Sequence, residues 1–302
     1  MKKVQVLLSA YNGEKFIKEQ IDSILAQKDV AVELLIRDDG SCDGTVQILK
    51  KYEEKQENIR VLYGENLGVI GSFFELIEQA DESIEYIAFA DQDDVWLPEK
   101  LLRAVTLLEK EDIAQPLVYC SDRKLVDEQL NALPPALTYS NVRTEFGNAL
   151  VENMCTGCTC AINQEMLKLL KGRLPEFTIM HDFWIYLVGT CFGKVIYDEQ
   201  SYILYRQHGS NELGAASSVF ENYKRRVKNF KKHRGQLTRQ AGELLRIYGE
   251  QMPEEKKELA EMLVTAKKSV KVRKPLVKSG KVFRQRKSDD GIMKVLLLLG
   301  LL

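Results

Sequence analysis

Apolar positions in the first hundred residues change period several times, and each change marks a predicted element. Residues 3–10 form a compact apolar run around Val4, Val6, Leu7 and Leu8, which predicts a strand ending at the turn Tyr11-Asn12-Gly13. Over 14–27 the apolar residues are Phe16, Ile17, Ile21, Ile24 and Leu25, the spacing of one helix face. Residues 32–36 predict a second buried strand. It ends in the Asp- and Gly-rich turn from Arg37 to Thr45, and a helix follows through Tyr52 with Val46, Ile48 and Leu49 apolar. Residues 59–63 predict a third strand. Asn66-Leu67-Gly68 interrupts the chain, and Ser72 is the expected cap of a helix to about residue 80. Another apolar run, 86–90, predicts a strand, and residues 97–101 the start of a helix. Strands alternating with helices of this length imply βαβ units and a mainly parallel sheet.

The second half is less regular. Residues 117–122 and 156–162 predict strands, while 123–150 lack a period and contain Pro134-Pro135. A helix is expected at 164–170, and His181-Asp182-Phe183-Trp184 opens another through 188. Short strands at 195–198 and 202–205 lead into Arg206-Gln207-His208-Gly209-Ser210-Asn211. Beyond 215 the texture becomes helical. Phe220, Tyr223, Val227 and Phe230 recur at helical spacing, then Leu237, Ala241, Leu244, Leu245 and Tyr248, then Leu259, Met262, Leu263, Ala266 and Val270. The reading is an α/β domain over 1–215 and a basic helical region over 216–302. The latter ends in an apolar tail, 295–302, too short to span a bilayer but apolar enough to lie in an interface or pack in a groove.

Charge sharpens that division. The formal net charge is −1 over 302 residues. Residues 1–223 hold 21 Lys and Arg against 36 Asp and Glu, a net of −15, whereas 224–287 hold 21 against 6, a net of +15. An acidic body followed by a strongly basic segment suggests a polyanionic partner, either nucleic acid or an anionic membrane. No recognisable nucleic-acid module or aromatic-interleaved basic surface is present, which favours the membrane. A solvated helical face or a homodimer surface is the plainer alternative. The N-terminus lacks a signal-peptide pattern, and no apolar stretch is long enough for a transmembrane helix. Six cysteines include a cluster at Cys155, Cys158 and Cys160, without zinc-site spacing, so small buried side chains are expected. His233, among basic residues, reads as solvated.

The stretch around which the chain is organised is Ala90-Asp91-Gln92-Asp93-Asp94-Val95-Trp96. Three carboxylates within four residues, after a buried strand, repel one another. A cation would hold them together, and oxygen ligands suit Mg²⁺ or Mn²⁺. The carboxyl end of a strand in an α/β sheet is also where ligands bind. A phosphorylated substrate on a divalent metal is one reading, and a solvated acidic turn capping the next helix is the other. There is no Gly-x-Gly-x-x-Gly after the first strand and no Gly-Lys-Ser/Thr, which argues against a dinucleotide enzyme and a P-loop NTPase.

Ala10-Tyr11-Asn12-Gly13, the run Asp38 to Thr45, Asn66-Leu67-Gly68 and Asp91-Gln92-Asp93-Asp94 together resemble, in order and spacing, the successive motifs of family 2 inverting glycosyltransferases with the GT-A fold. The resemblance covers roughly residues 1–212. His181-Asp182-Phe183-Trp184 and the segment from Tyr205 to Asn211 resemble the bacterial rhamnosyltransferase-like branch. The resemblance implies a nucleotide-sugar-binding fold with a mainly parallel sheet, and roles for individual residues. Tyr11 and Asp39 would contact the base, with Asp38 beside them. Ala10, Asn12, Asn66, Gly68 and Gln92 would line the nucleotide-sugar pocket, Asp91 would face the ribose, and Asp93 would ligate Mn²⁺ or Mg²⁺ on the diphosphate. Asp94 would support the loop. Arg206 would reach the diphosphate and His208 would be a further metal ligand. Asp182 would be the catalytic base, preceded by His181 where the wider family more often has an acidic residue. Trp96, His181 and Trp184 would contact acceptor or sugar, core packing being the other reading for both tryptophans.

The implied reaction is metal-dependent transfer of a sugar, L-rhamnose from dTDP-L-rhamnose, to a lipid-linked saccharide acceptor in cell-surface polysaccharide synthesis. A single base suffices, unlike hydrolases that need a carboxylate pair. The implied location is cytoplasmic, on the inner face of the plasma membrane. Competing readings are a UDP-hexose or UDP-N-acetylhexosamine donor, a sugar nucleotidyltransferase, and a catalytically inactive scaffold. A nucleotidyltransferase usually has a Gly-rich loop with Lys or Arg after the first strand, which Ala10-Tyr11-Asn12-Gly13 is not.

Overall fold

The computed structural model describes residues 1–134, 139–208 and 235–302. Outside the described residues fall Pro135, the end of the Tyr205–Asn211 motif from Gly209 onward, the boundary expected at 215/216, the helical pattern of 220–230, the basic residues 224–234 and His233.

Strands β1 (Lys2–Ala10), β2 (Val30–Asp38), β3 (Ile59–Tyr63) and β4 (Tyr86–Ala90) alternate with helices α1 (Ile17–Leu25), α2 (Thr45–Lys55) and α3 (Gly68–Gln79). They pair in parallel in the order β3-β2-β1-β4. The second half adds β5 (Val95–Trp96), α4 (Lys100–Leu108), β6 (Leu117–Val126), α5 (Phe146–Ala149), β7 (Ala161–Asn163), α6 (Gln164–Leu170), α7 (His181–Phe192) and β8 (Lys194–Arg206). The described strands form one eight-stranded sheet, β3-β2-β1-β4-β7-β6-β8-β5. It is parallel except at β7, which runs antiparallel to β4 and β6, and at β5, antiparallel to β8.

Side chains alternate across the sheet, so each strand feeds two cores. Leu7 and Leu35 point into a cluster with α3 and α7, while Val6, Leu8, Leu34 and Ile36 point into one with α1 and α4. Four further helices, α8 (Gln236–Tyr248), α9 (Glu254–Ala266), α10 (Val270–Ser279) and α11 (Lys287–Leu299), extend the first cluster. Ala241, Leu244, Leu263, Leu276 and Leu297 join it, as does Tyr248, whose hydroxyl donates to the Leu169 carbonyl at 2.9 Å. The basic helical region thus shares a core with the α/β layer.

Some expectations needed correction. Ser72 is not a cap: Gly68, with φ 71°, turns the chain straight into α3, and buried Ser72 meets the Ser9 hydroxyl at 2.7 Å. The strand expected over 156–162 is a 3₁₀ turn at Gly157–Thr159 followed by β7, because Thr159 folds back onto the Thr156 carbonyl. The two strands expected at 195–205 are one strand, β8, with register shifts against β6. The helix start read at 97 is preceded by the two-residue strand β5.

Candidate active site

Because β1 to β4 are parallel, the turns that follow them lie on one edge of the sheet. They are also stitched together. Asn12, at φ 48°, accepts from Cys42 N–H at 2.8 Å and donates its own N–H to Ser41 Oγ at 2.9 Å. Gly13 N–H reaches Thr45 Oγ1 at 2.8 Å. The Gln92 side chain pairs with both backbone groups of Tyr11, accepting at 2.8 Å and donating at 2.9 Å. Gly13 has no room for a Cβ, which would stand 2.2 Å from Gln92 Oε1. Ala10 is buried beneath this seam, and the Tyr11 ring is exposed above it.

The aspartates of the second turn differ from one another. Asp39 accepts from Leu67 N–H at 2.8 Å and Gly68 N–H at 2.9 Å, and pairs with buried Arg37. It faces inward and locks the loop of Asn66 and Gly68 onto β2. Asp38 accepts from Ser41 N–H at 3.1 Å with Oδ2, while its buried Oδ1 has no hydrogen-bond partner. Asp39 was the residue expected at a base, yet Asp38 is the one with an unsatisfied oxygen.

Pairing of β5 with β8, Val95 to Leu204 and Trp96 to Ile203, brings the end of β8 to the acidic turn. His208 Nε2 lies 2.7 Å from Asp93 Oδ2, and its ring stacks on Phe16 at 5.1 Å. Arg206 is only 2% exposed. Its backbone N–H reaches Asp94 Oδ1 at 3.1 Å and its Nε the Asp93 carbonyl at 2.7 Å, and its remaining nitrogens bind the Glu128 carbonyl and Glu19. Arg206 is therefore a buried clamp between α1, the turn after β6 and the acidic turn, rather than a cation presented to a diphosphate. Asp94 is fully buried, with Oδ2 lacking a hydrogen-bond partner. Burial, then the neighbouring Asp93 and Asp91, push its carboxyl well above the usual range. It does not cap α4, whose N-cap is Glu99.

Among the described residues, Asp91, Asp94 and Cys158 place potential ligand atoms within 4.8 Å of one another. The antiparallel register of β7 on β4, Ala88 opposite Ala161, explains how Cys158 arrives there. The same register carries Gly157 to the N-terminus of α7. Gly157 N–H donates to Asp182 Oδ2 at 2.8 Å, and Asn153 Nδ2 to Asp182 Oδ1 at 3.0 Å. Burial raises the Asp182 carboxyl to about 6, partly opposed by those hydrogen bonds and by Arg123. A carboxylate so tuned, 8% exposed, can accept a proton near neutral pH.

The aromatic candidates go the other way. Trp96 and Trp184 are 2% and 0% exposed; Lys100 Nζ lies 3.6 Å from the Trp96 ring centroid, and Trp184 packs near Tyr248. Neither ring is available to a sugar, because both strengthen apolar clusters beneath the sheet edge. His181 is buried against Phe73, ring centroids 3.8 Å apart, and burial drives it down to about 3, so it is neutral. A Cβ at Gly157 would stand 2.7 Å from its Nε2, so His181 shapes the turn that holds Asp182. Asn153, Gly157, Phe16, Glu19 and Glu128 escaped sequence reasoning. Asn153 sits between the aperiodic stretch 123–150 and the strand predicted from 156, and the other four act through contacts distant in sequence.

The model of the family described as "Glycosyl transferase family 2" matches residues 5–170. A dTDP-rhamnosyl transferase of Shigella flexneri, RfbG, is 30% identical over 229 residues, 72% of this chain and 77% of that protein. Among solved structures, S. aureus TarS (residues 1–349) in complex with UDP-GlcNAc superposes with a TM-score of 0.63 at 17% identity, covering 99% of this chain and 87% of that one. A mannosyltransferase from Pyrobaculum calidifontis in complex with GDP-Man and Mn²⁺ gives 0.55 at 16% identity, covering 92% and 73%. These two likenesses establish the fold, a GT-A-type α/β sheet followed by helices.

Proposed function

The chain belongs to glycosyl transferase family 2, and from that premise we propose that it transfers L-rhamnose from dTDP-L-rhamnose to a saccharide hydroxyl, with inversion. The observation that carries the chemistry is that the segment entering β7 sets Cys158 beside Asp91 and Asp94 while its neighbour Gly157 donates to Asp182, so the acidic turn and the buried carboxylate meet at one short stretch of chain. Support for rhamnose is the 30% identity to a dTDP-rhamnosyl transferase over most of the chain.

Asp38, with its unsatisfied buried oxygen, is the better candidate than Asp39 to accept from a base N–H. The exposed Tyr11 ring is suited to lie against the base. Asp93 and His208 suit Mn²⁺ or Mg²⁺: a carboxylate oxygen and an imidazole nitrogen already meet at 2.7 Å, beside a buried carboxylate with an unsatisfied oxygen. Such an ion would offset the charge that builds on the departing nucleoside diphosphate. Asp182 takes the proton from the acceptor hydroxyl as the hydroxyl oxygen forms its bond to the anomeric carbon. The bond from that carbon to the diphosphate oxygen breaks on the opposite face, and the nucleoside diphosphate leaves with the electron pair. The deciding experiment is a donor screen by nucleoside-diphosphate release with Mn²⁺ or Mg²⁺. Turnover of dTDP-rhamnose above all others is expected. Preferential turnover of UDP-glucose, UDP-galactose or UDP-N-acetylglucosamine would replace rhamnose, and pyrophosphate chemistry would mean a nucleotidyltransferase.

The acceptor we infer is lipid-linked, met at an anionic membrane. Among the described residues no helix is long and apolar enough to cross a membrane. However, Ile292, Val295, Leu298 and Leu299 are 57%, 55%, 41% and 59% exposed on one side of α11, opposite buried Met293 and Leu297. Residues 267–287 add ten Lys and Arg and no acidic residue. Each basic residue near an anionic leaflet contributes about 1 kcal/mol. Val295→Ser with Leu299→Ser is expected to weaken binding to anionic vesicles about tenfold in flotation. Unchanged binding would make this face a protein contact instead.

A further inference from the structure

We propose that Asn153 is a positioning residue for Asp182: its amide N–H holds Oδ1 while the Gly157 N–H holds Oδ2, fixing the carboxylate as a hydrogen-bond acceptor aimed at one hydroxyl. The inference rests on the assignment of Asp182 as base.

The direction of the Asn153 amide follows from its surroundings. Cys155 N–H donates to Asn153 Oδ1 at 2.9 Å, so the NH₂ end must be the end at Asp182, 3.0 Å away. A backbone donor therefore determines which end of the amide faces the base. The turn is held from behind as well. Arg284 donates to the Val151 carbonyl at 3.1 and 2.8 Å, and Glu152 accepts from Gln285 N–H at 2.8 Å. Asn153 thus follows directly on two residues pinned by the segment between α10 and α11.

The Gly157, Phe183 and Asn153 N–H groups still leave a lone pair on the carboxylate, since its two oxygens offer about four acceptor sites. All three donors favour the ionised form, which burial opposes. The other groups around Asp182 are Arg123 of β6, which also favours the carboxylate, and His181 on its own helix, neutral and without a hydrogen-bond partner at either nitrogen. Asn153 is therefore the side-chain hydrogen-bond donor among the groups that favour the ionised base.

The test is the pH dependence of kcat/KM from about pH 5 to 9. The wild-type acid limb is expected near 6, where the Asp182 carboxyl titrates. Asn153→Ala should move that limb up by about one pH unit and also lower the high-pH plateau, because the carboxylate then loses the side chain that orients it. Asn153→Asp is the discriminating variant. It retains an acceptor for Cys155 N–H, so a residue needed only for the turn would tolerate it. A positioning donor would not, and the limb should move up further than in Asn153→Ala because a second carboxylate then faces Asp182. Acid limbs superimposable on wild type in both variants would overturn the proposal. Asp182→Asn separates the two readings. Lost transfer with donor binding retained supports the base, whereas retained transfer removes the base assignment and this inference with it.

Discussion

The two acidic turns of the sheet edge, at 38–39 and at 91–94, begin from the same local recipe and end in opposite electrostatic states. Each places adjacent aspartates after a buried parallel strand. In the first, Asp39 is neutralised from within: Arg37, on the same strand, pairs with it and two backbone N–H groups complete the set, while Asp38 keeps one buried oxygen unsatisfied. The second gathers more carboxylates and less compensation. Arg206 donates its backbone N–H to Asp94 but sends its guanidinium to the Asp93 and Glu128 carbonyls and to Glu19. Lys100 lies behind the turn, against the Trp96 ring; burial pulls its ammonium down to about 8, opposed by the nearby Cys158, Cys160 and Asp94. One turn has its counter-ion built into the strand; the other is arranged to receive one. Proximity of carboxylates alone does not distinguish a structural lock from a ligand site, but the destination of the nearest cation does.

The largest effect that would break this contrast is at Asp93. Asp93→Ala removes the carboxylate that meets His208 and should lower kcat by about a thousandfold. Activity titrated against Mn²⁺ should no longer saturate in the range of the wild type. A variant with near-normal turnover and an unchanged Mn²⁺ response would put the ion elsewhere.

How much of this could be read from the sequence divides along the same line. The first four strands, their helices and the shared edge were legible, because apolar periodicity and Asp- or Gly-rich turns are local signals. The adjacency of Asp93 and His208, 115 residues apart, was legible only through a family resemblance. The internal partners of Arg206 and Asp39 are invisible in sequence for a common reason: each is a polar residue in a motif, and the groups that meet it, Glu19 and Glu128 in one case and Leu67 and Gly68 in the other, come from distant segments. Trp96 and Trp184 looked like sugar platforms because an aromatic beside a motif has no sequence mark of burial. Asn153 carried no signal, since it lies between the aperiodic stretch 123–150 and the strand predicted from 156, and its role comes from Cys155 and Asp182 in space.

A second effect tests the self-neutralised turn. Asp39→Asn leaves the buried Arg37 guanidinium without its carboxylate, and should cost about 3–5 kcal/mol of stability by chemical denaturation. Because the Leu67 and Gly68 N–H groups also lose an ionised acceptor, donor binding should weaken as the loop of Asn66 and Gly68 loosens. Replacing both members, Arg37→Met with Asp39→Leu, should recover most of the stability and not the donor affinity, since the charge pair is removed together while the loop lock stays broken. A single variant as stable as wild type would mean that Arg37 is compensated by something other than Asp39.

The smallest effect has the opposite sign, and for that reason it tests the comparison most sharply. Asp94 is fully buried, pushed upward by burial and by Asp93 and Asp91, and one of its oxygens has no hydrogen-bond partner. Asp94→Asn keeps an oxygen for Arg206 N–H and removes a charge from a crowded cluster. In metal-free protein it should therefore raise stability by about 1 kcal/mol, where the same substitution at Asp39 lowers it severalfold more. Saturating Mn²⁺ should erase the gain, because the ion then stabilises the wild-type charge and binds the variant less well. If Asp94→Asn instead destabilises the metal-free protein by as much as Asp39→Asn, the acidic turn holds an internal counter-ion after all, and the two turns are the same device.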